Sequence, residues 1–378
     1  MHQRSGRRAP SISLSPAFPA LGVFVVSKGA FLVALAAAVG GTAAVARLLA
    51  FDGGWYLGIV EDGYQYPGTG EGGRSNLAFF PALPMIATTL TWLGVPSAAA
   101  LLAVAWAGSA AAVVVIALLG QRLGSASMGV WLVLLWCIAP RSHVQVMAYT
   151  EGIFTAFAAA FLLALLNRRW WWAGTFAALA GLTRATAVAV VGTLVIAAVV
   201  EVIRRLRGRQ AAPLGTVVGA TALGASGVLA YLGYVAVRTG APLGYLDVQA
   251  TWNSAVGTPL WTLAKTAEVL VSLPQQDPLH VQVALCLVAY LGLFLWMIVR
   301  REPWPLLVFV TLGMALAFLQ AGFFNSKMRL LLPLFPLLLP LARVAAAAPS
   351  WVSWPLAVVA LVLSAWWGVD TAQMLVSP

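Results

Sequence analysis

The stretch Pro96–Leu119 reads PSAAALLAVAWAGSAAAVVVIALL and carries no charged residue. A run of about 20 apolar residues is long enough to cross the hydrocarbon core of a bilayer as a helix. Runs of this kind recur at Gly29–Ala50, Pro213–Val237 and Val281–Val299. They lack the polar–apolar alternation of a transmembrane barrel strand, and backbone groups in lipid must be hydrogen-bonded internally. The sequence therefore predicts an all-α polytopic membrane protein.

The composition supports the same fold class. Of 378 residues, 61% are apolar and only 9% are charged, whereas soluble domains carry about 25% charged residues. The net charge of +11 comes from basic residues in short loops, which orient a membrane protein rather than bind nucleic acid. Cys137 and Cys286 lie in apolar runs, which indicates packing rather than a disulfide. The three histidines are scattered, so no metal cluster is visible and a divalent metal is not indicated; we expect no cofactor.

Basic clusters predict the topology. By the positive-inside rule they face the cytoplasm, and they include Arg4/Arg7/Arg8, Arg122, Arg168/Arg169, Arg204/Arg205/Arg207/Arg209, Arg300/Arg301 and Arg343. This requirement places the ambiguous segment Leu77–Leu93 on the outer surface as an interfacial helix, because a crossing there would put Arg122 and Arg168/Arg169 outside.

The resulting topology has about eleven transmembrane helices. The predicted spans are 29–50, 96–119, 127–140, 148–166, 170–185, 187–203, 213–236, 281–299, 304–322, 329–347 and 352–369. Residues 1–27 are expected to form a cytoplasmic tail, and residues 28–378 a single transmembrane domain in the cell membrane. Residues 51–95 and 238–280 form two long outer loops, the first carrying surface helices. Arg184 marks a break between two short spans in this scheme.

Acidic residues sort to the opposite side. Of the eleven Asp and Glu residues, only Glu201 and Glu302 fall on the predicted cytoplasmic side. This asymmetry predicts a functional site that faces out of the cell.

The first outer loop begins FDGGWYLGIVEDGY at Phe51. Asp52 follows the first span directly and is a candidate general base at the membrane surface, or else a cap for the helix that starts at Gly53. Trp55 and Tyr56 are aromatics of the kind that sit at headgroup depth.

Four more charged positions interrupt apolar sequence. Glu151 begins an apolar helix, where it is either functional or a helix-start acid favoured by the dipole. Arg184 is either functional or snorkels to the interface. Lys327 and Arg329 start a late helix, where they either bind an anionic headgroup or form an ordinary outer-leaflet flank.

Several of these segments together resemble a known family. FDGGWY, EDGY, SNLAFFPALP, AYTEGIF and GLTRATAV are similar to motifs of the GPI mannosyltransferase 2 (PIG-V-like) family, including its bacterial members. With the late KMRLLLPLFPLLLP segment, the pattern also resembles GT-C glycosyltransferases more widely. The resemblance covers mainly residues 47–190.

The resemblance implies a GT-C-type fold and an inverting mannosyltransferase, with polyprenyl-phosphate mannose as the lipid-linked donor. It implies that Asp52 is the catalytic base and that the active site faces outside. The acceptor would be an envelope glycolipid, a glycan or a protein. Candidate ligands of the donor phosphate are Lys327, Arg329, Arg184, Arg141 and His143. Candidates for binding or orienting the sugar or acceptor are Glu151, Trp55, Tyr56, Glu61, Asp62 and Tyr149.

A secondary transporter or a lipid flippase is the alternative from another functional class. Transporters place ionisable residues near the bilayer midplane and are often built from inverted repeats. Here the acids gather at one surface and the sequence shows no clear repeat, which favours the transferase.

Overall fold

The structure, a computed structural model, describes residues 13–68, 70, 73–252, 259–321 and 323–373. Within these residues the chain is all-helical, without strands. The α-helices are α1 (Ala17–Val39), α2 (Gly41–Leu48), α3 (Asp52–Asp62), α4 (Ala82–Thr91), α5 (Ser97–Leu123), α6 (Ala126–Ile138), α7 (Glu151–Leu166), α8 (Trp170–Gly181), α9 (Val188–Leu206), α10 (Leu214–Thr239), α11 (Gly244–Thr251), α12 (Pro259–Val271), α13 (Pro278–Val299), α14 (Trp304–Leu319), α15 (Lys327–Leu331), α16 (Leu339–Ala347) and α17 (Ser350–Gln373).

The helices support a multi-pass membrane protein, but not the predicted number of spans. Among the described residues, six helices are long and apolar enough to cross a bilayer: α1, α5, α9 with the 3-10 turn before it, α10, α13 and α17. Two bent pairs raise the number to eight: α2 with α3, and Phe324–Leu331 with Phe335–Ala347. The count of about eleven is not confirmed, because α6, α7, α8 and α14 occupy predicted spans with only 13, 16, 12 and 16 residues.

The first helix corrects the predicted N-terminal boundaries. α1 begins at Ala17, inside the predicted tail of residues 1–27, and ends at Val39 instead of continuing to Ala50. Lys28 is tolerated within it because its ammonium donates to the carbonyl oxygens of Cys137 at 2.7 Å and Ser142 at 3.0 Å. Gly40 has a φ of 84°, a conformation that suits glycine, and there the helix breaks. Residues 1–12 of the predicted tail lie outside the described part.

The segment predicted as an interfacial helix contains α4, a helix of ten residues. This length is too short to cross a bilayer. α4 packs on α3 and α5 through a cluster that includes Tyr56, Phe79, Leu83 and Leu101. The Ala82 amide donates to the Leu182 carbonyl at 2.9 Å, which ties α4 to the end of α8. Its location at a membrane surface stays a prediction.

Small residues let the central helices pack closely. Gly152 of α7 lies against Ser109 of α5, and a Cβ added there would overlap the Ser109 hydroxyl. At Gly227 of α10, an added Cβ would overlap the backbone carbonyl of Ala178 in α8. Close approach of this kind is how membrane helices gain packing energy without a hydrophobic driving force.

Several arginines gather where α5, α7 and α9 end, a region we call the arginine end. Arg168 pairs with Glu201, and Arg343 binds both carboxylate oxygens of Glu302 at 2.9 and 3.0 Å. Arg343 also reaches the Leu123 carbonyl at the end of α5. The two acids predicted to be cytoplasmic therefore pair with arginines predicted to be cytoplasmic. That this end faces the cytoplasm stays a prediction.

Candidate active site

Four charged side chains meet on the opposite side from the arginine end. Asp52 Oδ2 lies 2.8 Å from Arg329 Nη1. Arg329 Nε lies 3.2 Å from Glu151 Oε1, and the same oxygen lies 2.9 Å from Arg184 Nη1. The side chains form a row of alternating charge, Asp52–Arg329–Glu151–Arg184, which we call the charge row.

The charge row depends on breaks between helices. Asp52 opens α3 just after an 81° bend from α2. Phe51 precedes it with a φ of 56°, a conformation uncommon outside glycine. Gly53 allows close approach to the neighbouring segment, because a Cβ added there would lie 3.3 Å from the Cβ of Ala148. The Ala148 amide donates to the Leu48 carbonyl at 2.9 Å, which fixes the bend against this segment.

Asp52 is a helical residue in the first turn of α3, whose N-cap is Phe51. Its carboxylate contacts Arg329. The alternative of Asp52 as the N-cap of this helix therefore does not match the structure. An acid in the first turn is still favoured by the helix dipole.

The segment from Arg141 to Thr150 carries the charge row's neighbours and leads into Glu151. Every residue of it is buried. Backbone carbonyls of this segment accept hydrogen bonds from α5: Trp106 Nε1 donates to Val146 at 2.7 Å and Ser109 Oγ to Gln145 at 2.6 Å. These bonds satisfy irregular backbone in an apolar setting and fix where α7 begins.

Glu151 is at the centre of the row and is only 2% exposed. It begins α7, so the dipole explanation describes its position, but two arginines also share its Oε1. Arg184 lies in the break between α8 and the 3-10 turn at Ala185–Ala187. The predicted break at Arg184 is thus confirmed. Its guanidinium lies over the Phe154 ring at 5.8 Å and pairs with Glu151.

Two tyrosines border the charge row. The Arg329 guanidinium lies 5.1 Å from the centroid of the Tyr149 ring. Burial and then the Asp52 carboxylate raise the pKa of Tyr149 well above its ordinary value, so its hydroxyl stays protonated. Tyr56 is buried on α3, with the Thr150 side chain beside its hydroxyl.

Arg141 lies next to the row without belonging to it. It is 2% exposed, and its neighbour Arg329 acts on it electrostatically. His143, two residues on, turns away and packs against the Phe31 ring at 5.9 Å. Burial, with Arg141 and Lys28 adding to it, lowers the pKa of His143 to about 3. His143 is therefore neutral near pH 7 and brings no positive charge to a phosphate.

Lys327 also lies away from the row. Its side chain is fully buried, and its ammonium donates to the carbonyl oxygens of Ala317, at 2.6 Å, and Gln320. It lies 5.7 Å from the Trp261 ring centroid. The Lys327 ammonium, which the sequence analysis predicted to bind the donor phosphate, therefore binds backbone carbonyls instead.

The remaining candidates of the first loop are spread along α3. Trp55 packs with the Phe79 and Trp252 rings at centroid distances of 6.0 and 4.8 Å. Glu61 and Asp62 are exposed at the far end of α3, about 13–15 Å along the helix from Asp52. The structure brings neither acid to the charge row.

Sequence reasoning missed the residues that hold this region together. The Tyr231 hydroxyl of α10 lies 2.9 Å from the Leu77 carbonyl oxygen and 2.6 Å from that of Phe79. Both carbonyls belong to the SNLAFFPALP stretch of the first loop. Trp136 Nε1 donates to the Leu332 carbonyl at 3.1 Å, next to the bend after α15. A Tyr hydroxyl or Trp N–H on an apolar helix predicts such contacts only weakly. The reason is that its partner is a backbone carbonyl far away in sequence.

Comparison with known proteins assigns the fold. No family model matches the chain, and no curated protein matches it. The crystal structure of ArnT from Cupriavidus metallidurans bound to undecaprenyl phosphate is similar over 91% of this chain, with a TM-score of 0.50 and 12% identity. The chain has a GT-C-type fold. It spans 61% of the length of ArnT. The closer resemblance, to the GPI mannosyltransferase 2 family, stays a prediction from the sequence motifs.

Proposed function

We propose that this protein is a membrane glycosyltransferase that moves a sugar from a lipid-linked phosphate donor to an acceptor hydroxyl. The observation that carries the proposal is the charge row, in which two carboxylates and two arginines converge at helix breaks. Charged side chains inside apolar sequence are costly, and they are retained where they have a function. The GT-C-type fold and a similar structure that holds undecaprenyl phosphate support this class of donor.

The residues of the row suit an inverting displacement. The acceptor oxygen attacks the anomeric carbon and gives its proton to the Asp52 carboxylate. The bond from the anomeric carbon to the donor phosphate oxygen breaks, and the lipid phosphate leaves with the bonding electrons. A leaving group that is already anionic needs cations rather than a general acid, and Arg329 is within reach of the base.

Glu151 and Arg184 have supporting roles in this scheme. Glu151 holds both arginines through one oxygen and so fixes the direction of each guanidinium. Positioning of this kind accounts for a large share of catalysis in rigid sites. Tyr149 and Tyr56, which border the charge row, are the candidates to contact the sugar in this scheme.

We further propose polyprenyl-phosphate mannose as the donor, on the strength of the sequence motifs. The acceptor is an envelope glycolipid, a glycan or a protein at the outer membrane face. Deletion of the gene followed by mass spectrometry of the cell's lipids and glycans would identify the missing mannosylated species.

The decisive experiment replaces Asp52 by Asn in the purified protein. Polyprenyl-phosphate mannose and a membrane glycolipid extract are supplied, and sugar transfer is measured. Loss of a general base lowers the rate by about 10²–10⁴-fold. The matched control is Asp247→Asn, because Asp247 is also in the first turn of a helix but is exposed; it should transfer at the wild-type rate.

Two outcomes would contradict the proposal. Near-wild-type transfer by Asp52→Asn would remove Asp52 as the base. Accumulation of a solute in proteoliposomes, without any glycosylated product, would favour a transporter.

A further inference from the structure

Arg141 carries a buried charge that nothing in the described part of the chain compensates. Its side chain is 2% exposed, and none of its Nε, Nη1 and Nη2 atoms has a hydrogen-bond partner among the described residues. Its φ of 65° adds a left-handed backbone conformation that is unfavourable for a residue other than glycine. A buried guanidinium without an acceptor costs folding free energy, and the strained backbone at Arg141 adds to that cost.

The surroundings of Arg141 disfavour its positive charge. Burial and then the neighbouring Arg329 lower its pKa to about 10, opposed only by Tyr149 and Cys286. No carboxylate is among the groups that act on it. Arginine stays charged at that value near pH 7.

The charge row and Arg141 together carry a net charge of +1. The charge row is neutral, because two carboxylates face two arginines. Arg141 adds a single positive charge beside it. A sugar phosphodiester carries one negative charge, and its non-bridging oxygens suit guanidinium donors. The charge row and Arg141, taken together, are therefore one such anion short of neutrality.

A second observation is that Asp52, the proposed base, is already paired with a cation. Asp52 Oδ2 contacts Arg329 at 2.8 Å, and in this pair the carboxylate is held by the cation that a leaving phosphate also needs. Asp52 is the more accessible partner, with 25% of its side chain exposed against 14% for Arg329 and 2% for Glu151. Of the two carboxylates on Arg329, Asp52 is thus the one that an incoming anion can replace.

We propose that a lipid phosphate binds Arg141, bridges to Arg329 and displaces the Asp52 carboxylate from it, so that donor binding itself frees the base. This inference rests on the proposed lipid-phosphate donor. Glu151 keeps its contacts with Arg184 and Arg329 throughout, which holds the two guanidinium groups in place. Without a donor, Asp52 is paired and is not available to deprotonate water or an acceptor. The Asp52–Arg329 contact in the structure then belongs to the resting state of the enzyme, without donor.

The test measures binding of undecaprenyl phosphate to the full-length protein in lipid nanodiscs. Undecaprenol and inorganic phosphate serve as separate arms, so that the lipid and the phosphate contributions are distinguished. Arg141→Gln should weaken undecaprenyl phosphate binding by about 100-fold and leave undecaprenol binding unchanged. Arg300→Gln, an exposed arginine at the end of α13, is the matched control and should bind as the wild type does.

Asp52→Asn gives the opposite and more specific result. Removal of the competing carboxylate should tighten undecaprenyl phosphate binding by about tenfold. In an Arg329→Gln background the same change should give no such gain, because there is then no cation for Asp52 to vacate. A gain of equal size in both backgrounds would show general charge repulsion and would overturn the displacement.

Thermal unfolding without lipid phosphate separates binding from structure. Because Arg141 is uncompensated, Arg141→Gln should unfold at the wild-type temperature or above it. Unfolding at a lower temperature together with unchanged lipid-phosphate binding would make Arg141 structural and overturn the proposal. If the binding results hold but no sugar is transferred, the proposed function fails and the phosphate site remains. If sugar is transferred without these binding effects, the proposed function remains and the displacement of Asp52 is overturned.

Discussion

Replacement of Glu151 by Gln tests the centre of the charge row. Glu151 Oε1 is shared by Arg184 at 2.9 Å and Arg329 at 3.2 Å, and the side chain is almost fully buried. The glutamine has the same shape and keeps an oxygen acceptor, but it removes the negative charge that pairs with Arg184. Breaking a buried ion pair by removing one partner costs about 3–5 kcal/mol. With one acceptor retained, we expect a loss of about 3 kcal/mol in the free energy of unfolding.

The measurement is equilibrium unfolding of the purified protein in mixed micelles, followed by tryptophan fluorescence. Glu268→Gln is the matched control. Glu268 pairs with Lys265 at 2.7 Å but is 56% exposed, and an exposed pair contributes at most about 1 kcal/mol. The two variants make the same chemical change and differ in burial.

A double variant checks the cause. If the loss comes from an unpaired Arg184, adding Arg184→Met to Glu151→Gln should restore about 1–2 kcal/mol relative to the sum of the single changes. The reasoning is refuted if Glu151→Gln destabilises the protein no more than Glu268→Gln. It is also refuted if the two single effects simply add.

Two further predictions concern other parts of the fold. Gly227→Ala should destabilise the protein by about 1–3 kcal/mol, because the new Cβ meets the Ala178 carbonyl and must separate α8 from α10. Gly233→Ala, in open space on the same helix, is the control and should cost nothing. Equal effects of the two changes on the free energy of unfolding would contradict this prediction. The pKa of His143 is lowered to about 3, so the unfolded chain binds the extra proton first and stability falls as the pH drops from about 6.5 towards 3. His143→Phe should flatten the dependence of unfolding free energy on pH between about 6 and about 4, and an unchanged slope would show that His143 is not the group responsible.

The sequence could single out the four charged residues that the structure brings together, because an apolar background makes each of them conspicuous. Asp52, Glu151, Arg184 and Arg329 all interrupt apolar runs, and the cost of charge in lipid makes such positions informative. The sequence could not predict how they pair, since the partners come from distant helices. Their pairing depends on helix breaks, such as the 81° bend between α2 and α3, whose geometry is set by tertiary packing.

Lys327 and Arg329 show that sequence position alone does not predict which of two nearby cations joins the charge row. The two residues lie two positions apart, so on a helix they point about 200° apart. Only one of them can face the charge row, and the sequence pattern does not say which. The structure assigns that role to Arg329 and gives Lys327 to the carbonyls of Ala317 and Gln320.

The predicted number of spans is not confirmed, for a related reason. Hydropathy measures how apolar a run is, but not where its helix stops. α6 and α8 end after 13 and 12 residues, where the chain turns into the segments that carry Arg141 and Arg184. The irregular backbone that builds the site is the same backbone that shortens the helices.

The order of residues in the charge row has a consequence for biogenesis. A ribosome delivers Asp52 first, then Glu151, then Arg184, and Arg329 only after most of the chain has entered the membrane. Glu151 gains a partner soon after it is made, whereas Asp52 waits for nearly the whole protein. A nascent chain that stops before α15 therefore exposes an unpaired carboxylate, and insertion of that late helix is the step that completes the charge balance of the first loop.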